Sequence, residues 1–237
     1  GFEYDVDYVY FYDDDRSEET IKITGYTGSN TNVVIPSSID GKKVTSIDSS
    51  AFYNNAGISS VTIPDSVETI YDKAFAGCTG LTGIIIPDSV KKIYYSAFEG
   101  CAGITSLSIG SGVTSIDNYA FSGCVGLRDL TIPENVTSIA YNAFEGCTGL
   151  RALTVNCPNL DTAFSGCTGL TRVTFGDNVK SIGYCAFAGC TGLKTISIPD
   201  NITSIADGAF RNTGLTSITL GKNITKIASE TFCGCKY

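Results

Sequence analysis

Apolar and polar positions follow a pattern along this chain that returns about every 23 residues. Its clearest copy is residues 81–101, LTGIIIPDSVKKIYYSAFEGC. An L-x-x-I-x-I run opens it, at Leu81, Ile84 and Ile86 and again at Leu193, Ile196 and Ile198. A V-x-x-I run follows, as in Val90 and Ile93 or Val136 and Ile139, and an Ala-Phe pair comes next. Alternation over the last four residues of the first run predicts a short strand with one buried face. Pro64, Pro87, Pro133 and Pro199 stand just after it, where the missing N–H ends a ladder. V-x-x-I predicts a second extended segment on the opposite wall. A-F-x-G-C predicts one tight helical or 3₁₀ turn ended by glycine.

The marker phenylalanines are Phe52, Phe75, Phe98, Phe121, Phe144, Phe164, Phe187, Phe210 and Phe232, spaced 23, 23, 23, 23, 20, 23, 23 and 22 residues apart. A fixed period of this size means a solenoid, each coil stacked on the one before. Each coil turns about six large apolar side chains inward, and full burial stabilises by roughly 1.5–3 kcal/mol per side chain. Ordering the chain costs about 1–2 kcal/mol per residue. A lone coil leaves both flat sides wet and cannot fold, so neighbours must stack.

The combination IP-x-SV-x-x-I-x-x-x-AF-x-x-C resembles the BspA-like type of leucine-rich repeat, over about nine turns and nearly the whole chain. The resemblance implies a β-rich right-handed superhelix, with short parallel strands on the concave side and short 3₁₀ or helical turns. It also implies a secreted or surface-attached microbial protein, some relatives being adhesive. Several positions depart from the pattern. Gly110, Gly176 and Gly221 replace proline, Thr213 breaks the cysteine column, and the repeat at residues 150–165 is three residues short around VNCPNL. The short repeat is expected to disturb the local curvature.

Residues 1–45 read as an N-terminal hairpin cap and opening turn, and 46–237 as one continuous repeat domain. FEYDVDYVYFY reads as a strand, DDDRSEE as a charged turn and TIKITGY as the return strand. Such a hairpin would cover the open end of the stack. The carboxylates Asp13, Asp14, Asp15, Glu18 and Glu19 match no calcium-loop spacing and read as a solvated turn.

Net charge is −8, which argues against nucleic acid as a partner. No apolar run is long enough to span a membrane. The start shows no signal-peptide pattern. The chain holds no methionine and reads as trimmed, so the missing leader is not taken as a sign of the cytoplasm. Low charge with many Ser, Thr and Gly suits an extracellular or cell-surface setting. No histidine is present, which removes Ser-His-Asp and Cys-His sites and histidine-ligated metals. No phosphate loop or dinucleotide fingerprint occurs, and no cofactor is expected.

Of the ten cysteines, Cys78, Cys101, Cys124, Cys147, Cys167, Cys190 and Cys235 each fall three residues after a marker phenylalanine. They read as a buried ladder of free thiols acting as small hydrophobes. Cys157, Cys185 and Cys233 lie off this column, and the sequence leaves surface thiols or a bridge both open. C-G-C at Cys233 and Cys235 has no metal-ligand partner set. N-x-T occurs at Asn135, Asn201 and Asn223 in one repeat register and reads as Asn satisfying backbone groups at a turn.

Positions the repeat does not dictate carry the functional reading. The outward positions of L-x-x-I-x-I are mostly Ser and Thr, including Thr131, Thr154 and Thr174. Among them Arg128, Arg151, Arg172 and Lys194 cluster over four adjacent coils, with Asp129 beside them. Stacked like charges repel and are only partly screened, which points to an acidic or hydroxyl-rich partner. Tyr71, Tyr94, Tyr95, Tyr119, Tyr141 and Tyr184 form a second candidate row along the stack edge. The expectation is a non-enzymatic recognition or adhesion module whose concave sheet binds a protein on a host, a matrix or another cell. Carbohydrate binding by an enzyme-attached module and a passive spacer are the alternatives.

Overall fold

The computed structural model describes residues 1–11 and 16–235 of the 237. It is a β-solenoid of about nine coils with no helix among the described residues.

Each coil has a front strand and a back strand. The front strands come from L-x-x-I-x-I: Gly83–Ile86, Ser106–Ile109, Asp129–Ile132, Ala152–Val155 and Arg172–Phe175 form one parallel sheet. Asn32–Val34 pairs with Ser60–Thr62 before it, and Thr195–Ser197 with Ser217–Thr219 after it. The register advances by one repeat per strand, Leu107 lying beside Ile84 and Leu130 beside Leu153. The back strands come from V-x-x-I: Thr69–Ile70, Lys92–Ile93, Ser115–Ile116 and Ser138–Ile139 continue a sheet begun by Lys42–Ile47. The short repeat leaves the front ladder intact, with Leu153 beside Val173. It divides the back wall, where a separate sheet starts at Asn159–Leu160.

At the N-terminus Phe2–Phe11 and Arg16–Tyr26 pair antiparallel, and the second strand runs parallel to Lys42–Ile47. The strand therefore begins inside the segment expected to be a charged turn. Arg16 to Glu19 are strand residues, because opposite Phe11 to Tyr8 they complete a ladder. Asp13, Asp14 and Asp15 lie outside the described residues, as do Lys236 and Tyr237 at the other end. Glu19 pairs with Lys42 at 3.4 Å. Ile21 and Ile23 are buried, and Tyr26 stacks on Phe52 at 5.7 Å, so the hairpin joins the core through its second strand.

The core is one continuous column. The phenylalanines from Phe52 to Phe210 are at most 2% exposed. Their rings stack with centroids 4.8–5.9 Å apart and planes within 12° of parallel, and Phe232 adds to the end at 5.8 Å.

The helical or 3₁₀ turn expected at A-F-x-G-C does not form. In the Phe75 coil the amides of Ala74, Ala76 and Cys78 donate to the carbonyls of Tyr71, Lys73 and Phe75. The amides between them, of Lys73, Phe75 and Gly77, donate instead to Tyr95, Ala97 and Glu99 of the next coil, at 2.7–2.9 Å. A helix would take every amide for itself, whereas this backbone gives alternate amides to its neighbour. The cost is a left-handed residue at Lys73 (φ 56°) and Gly77 (φ 74°), with Ser96, Tyr119, Asn142, Cys185 and Glu230 repeating the first. In the regular coils front strand, back strand and Phe turn are thus each bonded to the next coil. All three rise there by the ~4.8 Å strand spacing.

Replacing Phe121 by Ala removes a ring stacked on both sides and is expected to cost about 3–5 kcal/mol, measured by denaturant unfolding. Replacing the exposed Tyr141 by Ala should cost far less. Equal losses would remove the ring column as the core.

Candidate functional site

The front strands point alternate residues outward, which fixes the candidate site. Arg128, Asp129, Thr131, Arg151, Arg172, Thr174 and Lys194 are exposed and Thr154 is half-buried. The registers place Asp129, Ala152 and Arg172 in one row and Thr131, Thr154 and Thr174 in another. The wall therefore brings all eight residues together on adjacent coils.

The cations have little protein to bind. Arg128 Nη1 donates to the Gly149 carbonyl at 3.4 Å, and Lys194 Nζ to that of Thr191 at 3.1 Å. Among the described residues none of the four cations is in an ion pair; Lys22, Lys42, Lys43, Lys92, Arg211 and Lys222 hold the pairs instead. Asp129 neutralises none of them directly.

The hydroxyl face divides by column. Thr82, Thr105, Thr171 and Thr216, at the start of the run, donate their Oγ1 protons to the carbonyl of the preceding coil at 3.0–3.2 Å. They extend the backbone ladder and keep only lone pairs for a ligand. Thr131, Thr154 and Thr174, in the middle of the strand, have no side-chain hydrogen-bond partner among the described residues and keep the full donor and acceptor set.

Two further features mark this wall. Val34 and Ile85 point outward in the middle column, 66% and 72% exposed, where most coils carry Ser or Thr. A groove of about 550 Å³ opens around Ile85, bounded by Asp65 and Asp88. At the far edge, just past the Pro or Gly corner, stand Asp65, Asp88, Glu134, Asp177 and Asp200, all exposed. The Ser111 and Lys222 amides hold the Asp88 and Asp200 carboxyls below the usual carboxylate range. The wall therefore runs from cations at the start of its strands to carboxylates at their end, where Lys222 also stands and pairs with Asp200 at 3.1 Å. The signal was present in the sequence as a column one residue after the proline.

The other candidates make contacts along the stack, though Tyr95, Tyr141 and Tyr184 stay exposed. Tyr71 and Tyr94 lie 5.2 Å apart, and Tyr95, Tyr119 and Tyr141 continue edge to face at 6.0 and 5.9 Å. Asn135 Nδ2 bonds the Gly110 and Val113 carbonyls, and Asn201 Nδ2 those of Gly176 and Val179. Each Asn thus ties one coil to the last. None of the ten cysteines is in a disulfide, Cys157, Cys185 and Cys233 included. In the column each S–H donates to the phenylalanine carbonyl of the preceding coil, as Cys101 does to Phe75 at 3.0 Å and Cys124 to Phe98 at 3.3 Å. Burial pushes the Cys78 thiol up to about 11 and Cys190 to about 12, and raises Cys101 and Cys124 further. These thiols supply no nucleophile at neutral pH.

Raised thiols have a sign in stability. The unfolded chain ionises its cysteines near 9.0, whereas the folded chain holds Cys78 protonated until about 11 and Cys190 until about 12. The contribution is whole below pH 9 and is lost as pH climbs through the folded values. Melting temperature is expected to fall across that window, and to fall less when Cys101 and Cys124 are both replaced by Ala. In native protein at neutral pH an alkylating reagent should modify the exposed Cys233 first and leave Cys124 unmodified.

A family model described as a BspA type leucine rich repeat region (6 copies) matches residues 45–162 and 160–237. The crystal structure of a Treponema pallidum leucine rich repeat protein is 32% identical, with a TM-score of 0.69 over 79% of this chain and 87% of that one. A leucine-rich repeat protein of Eubacterium ventriosum shares the fold at 18% identity and a TM-score of 0.52, over 92% of this chain and 91% of its own. No curated protein matches.

Proposed function

The chain belongs to the BspA-type leucine-rich repeat family, and from that premise we propose a non-enzymatic recognition or adhesion module, displayed at a cell surface or secreted. Its partner is a protein, held against the front wall. The observation that carries this reading is the row of Arg128, Arg151, Arg172 and Lys194, without ion pairs among the described residues on the outward face of the front wall, in a chain of net charge −8. Such a row costs self-repulsion unless a partner with negative charge covers it. A wall that does not reorganise loses little entropy on binding.

The lack of histidine and the raised thiols support a non-enzymatic role. The carbohydrate reading is weakened by the first-column threonines, whose protons are already committed to the backbone. Glycan platforms also usually set flat aromatic rings beside the hydroxyls, and the tyrosines lie on the stack edge instead.

Binding of the chain to surfaces coated with acidic proteins and to surfaces coated with neutral polysaccharide separates the readings. Retention on protein alone is expected. Replacing Arg128, Arg151, Arg172 and Lys194 together by Ser should weaken it about tenfold or more, exposed charge pairs contributing roughly 0.2–1 kcal/mol each. Unchanged binding in the quadruple variant overturns the cation row as the contact, and binding to neither surface leaves a spacer.

A further inference from the structure

We infer that the front wall is complementary to itself, and that its partner is a second copy of this chain docked face to face about a two-fold axis parallel to the stack. The inference rests on the front wall being the protein-binding face, and names what that face binds.

The wall has three columns. Val34, Thr62, Ile85, Ser108, Thr131, Thr154, Thr174, Ser197 and Thr219 run down its middle. Arg128 and Lys194 stand three residues before the middle and Arg172 two before. Glu134, Asp177 and Asp200 stand three after, on the same coils as those cations, and all are exposed. A two-fold axis parallel to the stack sets each coil over the same coil of the second copy and reverses the strand direction. Cations then lie over carboxylates: Arg128 over Glu134 and Arg172 over Asp177, each pair made twice, while Lys194 comes over Asp200, which its own chain already pairs with Lys222 at 3.1 Å. A two-fold along the strands would instead lay cations over cations. Charge alone therefore selects one of the two face-to-face arrangements.

The middle column supports the same choice independently. Ile85 and Val34 are the two most exposed large hydrophobic residues among those described, and both lie in that column. On the axis each meets its own counterpart, which takes both out of water at once. The unpartnered hydroxyls of Thr131, Thr154 and Thr174 also meet their counterparts, and a hydroxyl both donates and accepts.

The extent is sufficient. Six residue steps at ~3.3 Å make the wall roughly 20 Å wide, and nine coils at ~4.8 Å make it roughly 43 Å long. The resulting area, about 860 Å², is near the ~800 Å² per partner of a standard stable interface. Two copies of net charge −8 repel at long range, so the dimer is weak and the pairing is carried by local contacts.

Sedimentation equilibrium on the whole chain tests this with charge reversal. One variant carries Arg128→Glu and Arg172→Glu, the other Glu134→Lys and Asp177→Lys. All four sites are exposed, and melting curves check that both proteins fold. Wild type is expected to dimerise, each variant alone to be monomeric, and their equimolar mixture to form a one-to-one heterodimer. Ile85→Glu should abolish the wild-type dimer. Dimers of either reversed protein alone, or a mixture that stays monomeric, overturn the pairing. A wild type that remains monomeric while still binding a protein-coated surface overturns self-pairing alone and leaves the front wall as a protein-binding face.

Discussion

Across the regular coils each corner is tied by hydrogen bonds to the same corner of the next, so the cross-section there advances by one strand spacing at a time. The front ladder, the back ladder and the bonds from Phe75 to Ala97 and Gly77 to Glu99 each impose the same rise. Stacked phenylalanine rings fit it, with centroids about 5 Å apart over the regular coils. A helix at the Ala-Phe corner would satisfy its own amides and leave the next coil unbonded there. The chain takes left-handed residues at that corner instead, because losing a buried hydrogen bond in every coil costs more than one strained residue.

That common rise turns sequence periodicity into surface chemistry. A residue type repeated every 23 positions becomes a row with neighbours ~4.8 Å apart, whether of thiols, tyrosines, hydroxyls or charges. Inside the stack this yields a thiol column whose protons point at backbone carbonyls and whose ionisation is suppressed. Outside, it fixes the spacing of cations and carboxylates across the front wall with no loop to relax them. A recognition surface made this way is rigid and extended, and its specificity lies in which coil carries which outward residue.

Much of this was legible from the chain. The phenylalanine interval located the core, since only stacked coils bury a ring repeated at that distance. Proline after Ile86 and Ile132 marked the strand ends, and Asn135 and Asn201 were correctly read as backbone ties. Other features were not legible. A-F-x-G-C has the local form of a helical turn, and nothing in it shows that a neighbouring coil competes for alternate amides. Thr82 and Thr131 are the same residue type on the same wall, yet only Thr82 lies close enough to the preceding carbonyl to spend its proton. DDDRSEE looked like a turn because its charge gives no strand signal, but its last four residues pair with the strand before it.

The sequence by itself determined the stack, its period, its buried column and which side chains face outward, because these follow from apolar spacing and need no partner segment. Only the tertiary structure decided how the backbone at each corner divides its hydrogen bonds, which hydroxyls remain free, and that cations and carboxylates occupy opposite edges of one wall. Those depend on where one coil lies against the next, and that is set by bonds between residues about 23 positions apart.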